Sequence, residues 1–142
     1  MIEMETHVPL SPEQVWIRLI QNDHARQWWD PQVMIEPHLH GRVFVPWTDE
    51  TGEKRVTVAA ITAFEEGRRL QMDLFSQELP KPMRVEFLVS PEAGGRTKIY
   101  LQHSGWETIS EEKERRRKYD IHAGLWEVII DRLGKYCSGR KI

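Results

Sequence analysis

The chain has 142 residues, enough for one domain with one good core. Hydrophobic residues make up 39% and charged residues 30%, a globular rather than disordered balance. With 20 basic against 22 acidic residues there is no global field for gripping nucleic acid or an anionic membrane. The longest apolar runs fall far short of a membrane span. A single cysteine, Cys137, excludes an intramolecular disulfide and suits a reducing cytoplasm, the expected location. The start, MIEMETHVPL, lacks the basic and apolar regions of a signal peptide. Six tryptophans form a large aromatic surface that has to be placed somewhere.

Residues 2–8 alternate, with Ile2, Met4, Thr6 and Val8 against Glu3, Glu5 and His7, which predicts a strand with a wet face. Ser11-Pro12-Glu13-Gln14 reads as a capping box with proline at the first helical position. Val15, Trp16, Leu19 and Ile20 follow at helical spacing, and the helix stops near Gln21-Asn22-Asp23. A second short helix, His24–Trp29, ends before Pro31, because the residue before proline disfavours helix.

From 33 to 104 the pattern turns to period two. Val33–His40 and Arg42–Trp47 flank Gly41 as a hairpin. In Lys54–Glu65, the residues Val56, Val58, Ala60, Thr62 and Phe64 share a face. Leu70, Met72, Leu74 and Ser76 alternate with Gln71, Asp73 and Phe75. Val85, Phe87 and Val89 alternate with Arg84, Glu86 and Leu88, and Thr97, Ile99, Leu101 and His103 form a last inner face. Glu66-Gly67-Arg68 and Glu92-Ala93-Gly94-Gly95 are turns. The tail is a helix, capped by Thr108 or Ser110, with Tyr119, His122, Trp126, Ile129, Leu133 and Tyr136 as its apolar stripe and Gly139 after its end.

The expected architecture is α+β. A curved antiparallel sheet of about seven strands wraps a long C-terminal helix, and two short helices follow the first strand. The first strand pairs late in the sheet. Such a grip leaves space between sheet and helix unless large side chains fill it.

Four stretches carry a resemblance: VPLSPEQVWIRLI, WWDP with GRVF after it, GGRTKIYLQHSGW and HAGLWEVIIDRLGKY. In this order and spacing the chain resembles the START-like, helix-grip (SRPBCC) superfamily. Within it, the chain is similar to the family named for homologues of the activator of the heat-shock-90 chaperone ATPase. The resemblance covers nearly the whole chain and implies a cavity under the terminal helix, with one of the adjacent tryptophans Trp28 and Trp29 in the core and its neighbour over the cavity. The family commonly has glycine directly before the helix tryptophan, whereas Leu125 stands there and Gly124 lies one earlier.

Several residues are candidates for chemistry. His103 and His122 fall on inner faces and could orient a ligand or move a proton; the plainer reading is a pair of satisfied core histidines. Trp28, Trp29, Trp47, Phe87, Trp106, Tyr119 and Trp126 could line a pocket for an apolar or aromatic molecule, and plain core is again the alternative. His38 and His40, with Glu36, share a strand face at a spacing that can hold a metal, although a solvated hairpin edge explains them too. No nucleophile–base–orienter set is visible, and no cofactor or metal site is expected.

The run EEKERRRK, Glu111–Lys118, holds three acid-first i, i+4 pairs and reads as a solvated helix face. It leaves Arg117 unpaired and open to a protein partner. The leading expectation is a non-catalytic domain binding a small hydrophobic ligand. The alternatives are a chaperone-activating interaction module, as the resemblance implies, and a cyclase- or hydrolase-type enzyme.

Overall fold

A computed structural model describes residues 1–76 and 79–142. Chain order runs β1 (Ile2–Val8), α1 (Pro12–Ile20), α2 (Asn22–Trp28), β2 (Met34–Ile35), β3 (Arg42–Thr48), β4 (Lys54–Glu65), β5 (Arg69–Phe75), β6 (Met83–Glu92), β7 (Arg96–Ser104) and α3 (Glu112–Cys137). The seven strands form one curved antiparallel sheet in the order β1-β7-β6-β5-β4-β3-β2. The first strand pairs with the last, Ile2 opposite His103 and Val8 opposite Thr97. This is the helix-grip architecture expected from the sequence. No helix among the described residues is long and apolar enough to cross a membrane.

The local rules hold at the entry to α1. The Ser11 hydroxyl accepts from the Gln14 N–H at 3.2 Å, and the Gln14 side chain accepts from the Ser11 N–H at 3.0 Å. Both bonds of the capping box are therefore made. Replacing Ser11 by alanine leaves the Gln14 N–H without its side-chain partner. The expected cost is about 1 kcal/mol, read as a shift of the urea midpoint at unchanged slope. α2 begins at Asn22, earlier than His24, and the Asn22 side chain both donates to the Ile35 carbonyl and accepts from the Ile35 N–H.

Inner-face alternation places Val85, Phe87 and Val89 of β6 and Thr97, Ile99, Leu101 and His103 of β7 in the interior, all at 2% exposure or less. β4 departs from its expected phase. Thr57, Ala59 and Ile61 face inward, whereas Val56 is exposed on the outer face. A bulge then inserts Thr62, because Ile61 pairs with Met72 while Ala63 pairs with Gln71. The extra residue turns Phe64 inward, where its ring meets Trp16 edge-on at 5.2 Å.

The hairpin before β3 is also shorter than expected. Residues 37–39 leave the sheet, the His38–Gly41 stretch turns on bonds from the Gly41 N–H to the His38 carbonyl and from the His38 N–H to the Glu36 carbonyl, and the backbones of His40 and Gly41 bond Ile61 of β4. A Cβ at Gly41 would run into the Glu36 carbonyl, so glycine is what lets the chain double back.

α3 is capped by neither Thr108 nor Ser110. Its N-cap is Glu111, which makes no side-chain capping bond, and the Thr108 hydroxyl donates instead to the Gly105 carbonyl. The helix lies close against β1 near its C-terminal end. A Cβ on Gly134 would stand 2.7 Å from the Thr6 hydroxyl oxygen. Close approach is therefore met at Gly134, whereas Gly124 faces open space. With the helix held against β1, room remains between its middle and strands β3 to β5.

Candidate functional site

That room is a cavity of about 320 Å³. Its walls are the inner faces of β3 to β7 and the underside of α3. Apolar groups predominate: Val45, Met72, Leu74, Val85, Leu125 and Ile129 stand beside Trp29, Trp47 and Trp126. His103 and His122 supply ring nitrogens, Thr57 a hydroxyl, and Asp30 and the exposed Arg132 supply charge. An apolar pocket with a few placed polar groups is the usual form of a small-molecule site.

The end of β7 sets the site's polarity. His103 is 1% exposed. Its Nδ1 lies 2.9 Å from Nε1 of Trp126. An indole N–H can only donate, so Nδ1 accepts and the ring proton sits on Nε2. That Nε2–H has no partner among the described residues. The backbone of the same residue is held too, because Trp106 Nε1 donates to the His103 carbonyl at 3.1 Å. Burial, with His122 close by, pushes the His103 pKa down to about 3. At neutral pH His103 is a fixed, uncharged hydrogen-bond donor and not a general base.

His122 comes from α3 and stands perpendicular to His103, with ring centroids 5.6 Å apart. It also leans on Trp47 at 5.6 Å. Trp47 is positioned by its own N–H, which donates to the Thr57 hydroxyl at 2.8 Å.

The adjacent tryptophans divide their work. Trp28, at the end of α2, is 1% exposed and donates from Nε1 to the Arg18 carbonyl at 2.8 Å. It belongs to the core and does not line the cavity. Trp29, the residue closing α2, stacks on it at 5.4 Å with the planes 15° apart and forms cavity wall. Phe87 is fully buried and touches Trp28, Trp29 and Trp126 edge-on from behind that wall.

Five of the nine candidates therefore meet at the cavity: Trp29, Trp47, His103, His122 and Trp126. Trp28 and Phe87 support it. Trp106 and Tyr119 sit outside it; the Trp106 ring packs on His103 at 4.7 Å and on Tyr119 at 5.4 Å. The Tyr119 hydroxyl donates to the Met1 carbonyl. Sequence reasoning missed Thr57. Thr57 was hidden by its apolar neighbours Val56 and Val58, which suggested the opposite face. Leu125, the residue before Trp126, lines the cavity.

Other candidates are placed differently from expectation. His38 and His40 lie in the turn before β3 rather than on one strand face, and His40 has φ 67°. The Glu36 carboxylate accepts from the Arg42 N–H. Among the described residues no cluster of three or more His, Cys, Asp or Glu could hold a metal. Arg117 is paired, with Glu114 at 2.6 Å and with Glu50. Of the expected acid-first pairs, Glu114–Lys118 is formed at 3.4 Å, while Arg115 donates to the Ile109 carbonyl. Cys137 is packed, and burial raises its thiol to about 11.

Comparison with known proteins places this geometry in context. The family model described as Activator of Hsp90 ATPase homolog 1-like protein matches residues 9–138. No curated protein matches the chain in sequence. Among solved structures, protein MLL2253 from Mesorhizobium loti is similar at 19% identity and TM-score 0.77, over 99% of this chain and 98% of that one. CalU16 from Micromonospora echinospora is similar at 18% identity and TM-score 0.72, over 96% and 74%. The Aha1 dimer from Colwellia psychrerythraea is similar at 13% identity and TM-score 0.71, over 96% and 95%. At these identities the structural likeness establishes the fold alone.

Proposed function

We propose that this chain, which belongs to the Activator of Hsp90 ATPase homolog 1-like family, is a non-catalytic module that binds one small apolar molecule between sheet and α3. One observation carries the reading. The cavity of about 320 Å³ is walled by tryptophans whose neighbours Trp28 and Phe87 are locked in the core. A wall so supported is largely formed before a ligand arrives, which lowers the ordering cost of binding. Chemistry of the cyclase or hydrolase kind finds less support, because His103 has no basic nitrogen to offer: Nδ1 is taken by Trp126.

Native mass spectrometry of the purified protein, followed by tryptophan quenching with a panel of aromatic and aliphatic ligands, tests this. A one-to-one adduct, or saturable quenching weakened by Leu125→Trp, is the expected result. A bare mass together with no response to any ligand overturns it.

A second reading rests on a different surface. Val56 and Phe75 are 59% and 47% exposed on the outer face of the sheet, near one another through the Val58–Phe75 pairing. An apolar patch there suits a protein partner, as the family name suggests. The same spectrum reads whether such a partner is a second copy.

A further inference from the structure

The mouth of the cavity can be read from its lining. Most wall residues are buried or half-buried, but Thr48, Val128 and Arg132 are exposed. The opening therefore lies between the end of β3 and the later half of α3. Leu125, Val128, Ile129 and Arg132 stand at i, i+3, i+4 and i+7, so one stripe of α3 borders the cavity. The acids of the same turns lie elsewhere. Glu127 and Asp131 border the groove between α3 and β1, beside Met4 and Thr6, and Asp131 pairs with Lys135 at 3.0 Å. Among the described residues, α3 thus gives the cavity one permanently charged side chain, Arg132. Its guanidinium has no hydrogen bond or ion pair among the described residues. Asp30, the opposite charge on the lining, is engaged in its own turn. One carboxylate oxygen accepts from the Gln32 N–H at 2.8 Å, and Arg26 brings a cation to the same turn by donating to the Val33 carbonyl at 3.0 Å.

We propose that the cavity takes a carboxylate-headed apolar molecule, its body between sheet and α3 and its carboxylate at the mouth on Arg132. The inference rests on the ligand-binding reading and adds the charge of the ligand's head. The apolar walls decide where that head goes. A carboxylate carried inward to Met72 and Val85 would lose its hydration without a counter-ion. At the mouth it keeps water and meets a guanidinium, whose planar fork matches two carboxylate oxygens. The stem of Arg132 borders the cavity and adds apolar contact beneath the head. An ammonium head would meet Arg132 as a like charge, and a hydroxyl head would gain no ion pair.

The test uses three probes that share one alkyl chain and differ in the head: decanoate, decan-1-ol and decylamine. Each is titrated calorimetrically into wild type and Arg132→Gln at neutral pH and low salt. Glutamine keeps part of the stem and removes the charge. Decanoate is expected to bind wild type about fivefold more tightly than decanol, the scale of an exposed ion pair, with decylamine the weakest. In Arg132→Gln that advantage should fall to parity. Raising the salt to about 0.5 M should weaken decanoate binding to wild type far more than decanol binding. The probe order and its salt dependence in wild type decide the case alone if the variant does not fold. Equal affinity for decanoate and decanol overturns the inference and leaves ligand binding standing. Decylamine binding tightest overturns it as well, because Asp30 would then set the sign of the mouth. A decanoate preference that survives in Arg132→Gln removes the assignment to Arg132. Binding of none of the three removes the inference, and failure of the whole ligand panel with them removes the reading beneath it.

Discussion

Trp28→Ala is expected to cost about 3–5 kcal/mol, the range for emptying a fully buried large aromatic site. Trp28 is 1% exposed, and its N–H holds the Arg18 carbonyl near the end of α1. Removing it opens a void, frees that carbonyl and takes away the surface on which Trp29 stacks at 5.4 Å. Trp29→Phe offers the contrast. Its N–H is unpaired among the described residues and its outer edge borders space that is already open, so about 1 kcal/mol or less is expected. Urea unfolding of the two variants checks the ordering. If Trp29→Phe proved the costlier change, the division between supporting and lining residue would be reversed. The loss at Trp28 should also reach the cavity. With its wall unsupported, ligand-induced quenching should weaken even where the variant remains folded.

That division illustrates what the sequence carries and what it does not. Two adjacent tryptophans before a proline imply separate tasks, but nothing in RQWWDP says which takes which. Both rings are buried and stacked, and it is Trp29, the residue closing α2, that also borders the cavity. Strong alternation was legible, as in Val85, Phe87 and Val89, since one face there is charged and the other is not. β4 was misleading because both its faces carry apolar residues. The charge pattern gave no phase, and the bulge at Thr62 then changed the phase within the strand. The hairpin at Gly41 was visible, but its extent was not, because the turn is made by backbone bonds among Glu36, His38 and Gly41 rather than by side chains. Arg117 looked unpaired because i, i+4 spacing gives Glu114 to Lys118, whereas Glu114 also pairs Arg117 at i, i+3, and the further partner Glu50 lies in the distant β3–β4 connection. The bond between His103 and Trp126 joins the end of a strand to the middle of a helix. Each residue could be placed on an inner face from periodicity, but their meeting depends on how closely α3 approaches β1 at Gly134.

The burial of His103 predicts how stability depends on pH. His103 has a folded pKa of about 3 against an ordinary 6.5. Between those values the unfolded chain binds a proton that the folded chain refuses. Stability from this residue is therefore complete above pH 6.5 and falls by about 1.4 kcal/mol for each pH unit below it, levelling off near pH 3. Other groups titrate in part of this window, so the measurement is a difference. Wild type and His103→Gln are unfolded in urea at pH 7.5, 6.5, 5.5 and 4.5. Glutamine keeps an oxygen that can accept from Trp126 Nε1, and it has no proton to gain. At pH 7.5 the wild type is expected to be the more stable, and its advantage should shrink steadily as the pH falls, reversing toward pH 4.5. Parallel profiles would mean that His103 is not held neutral in the folded protein.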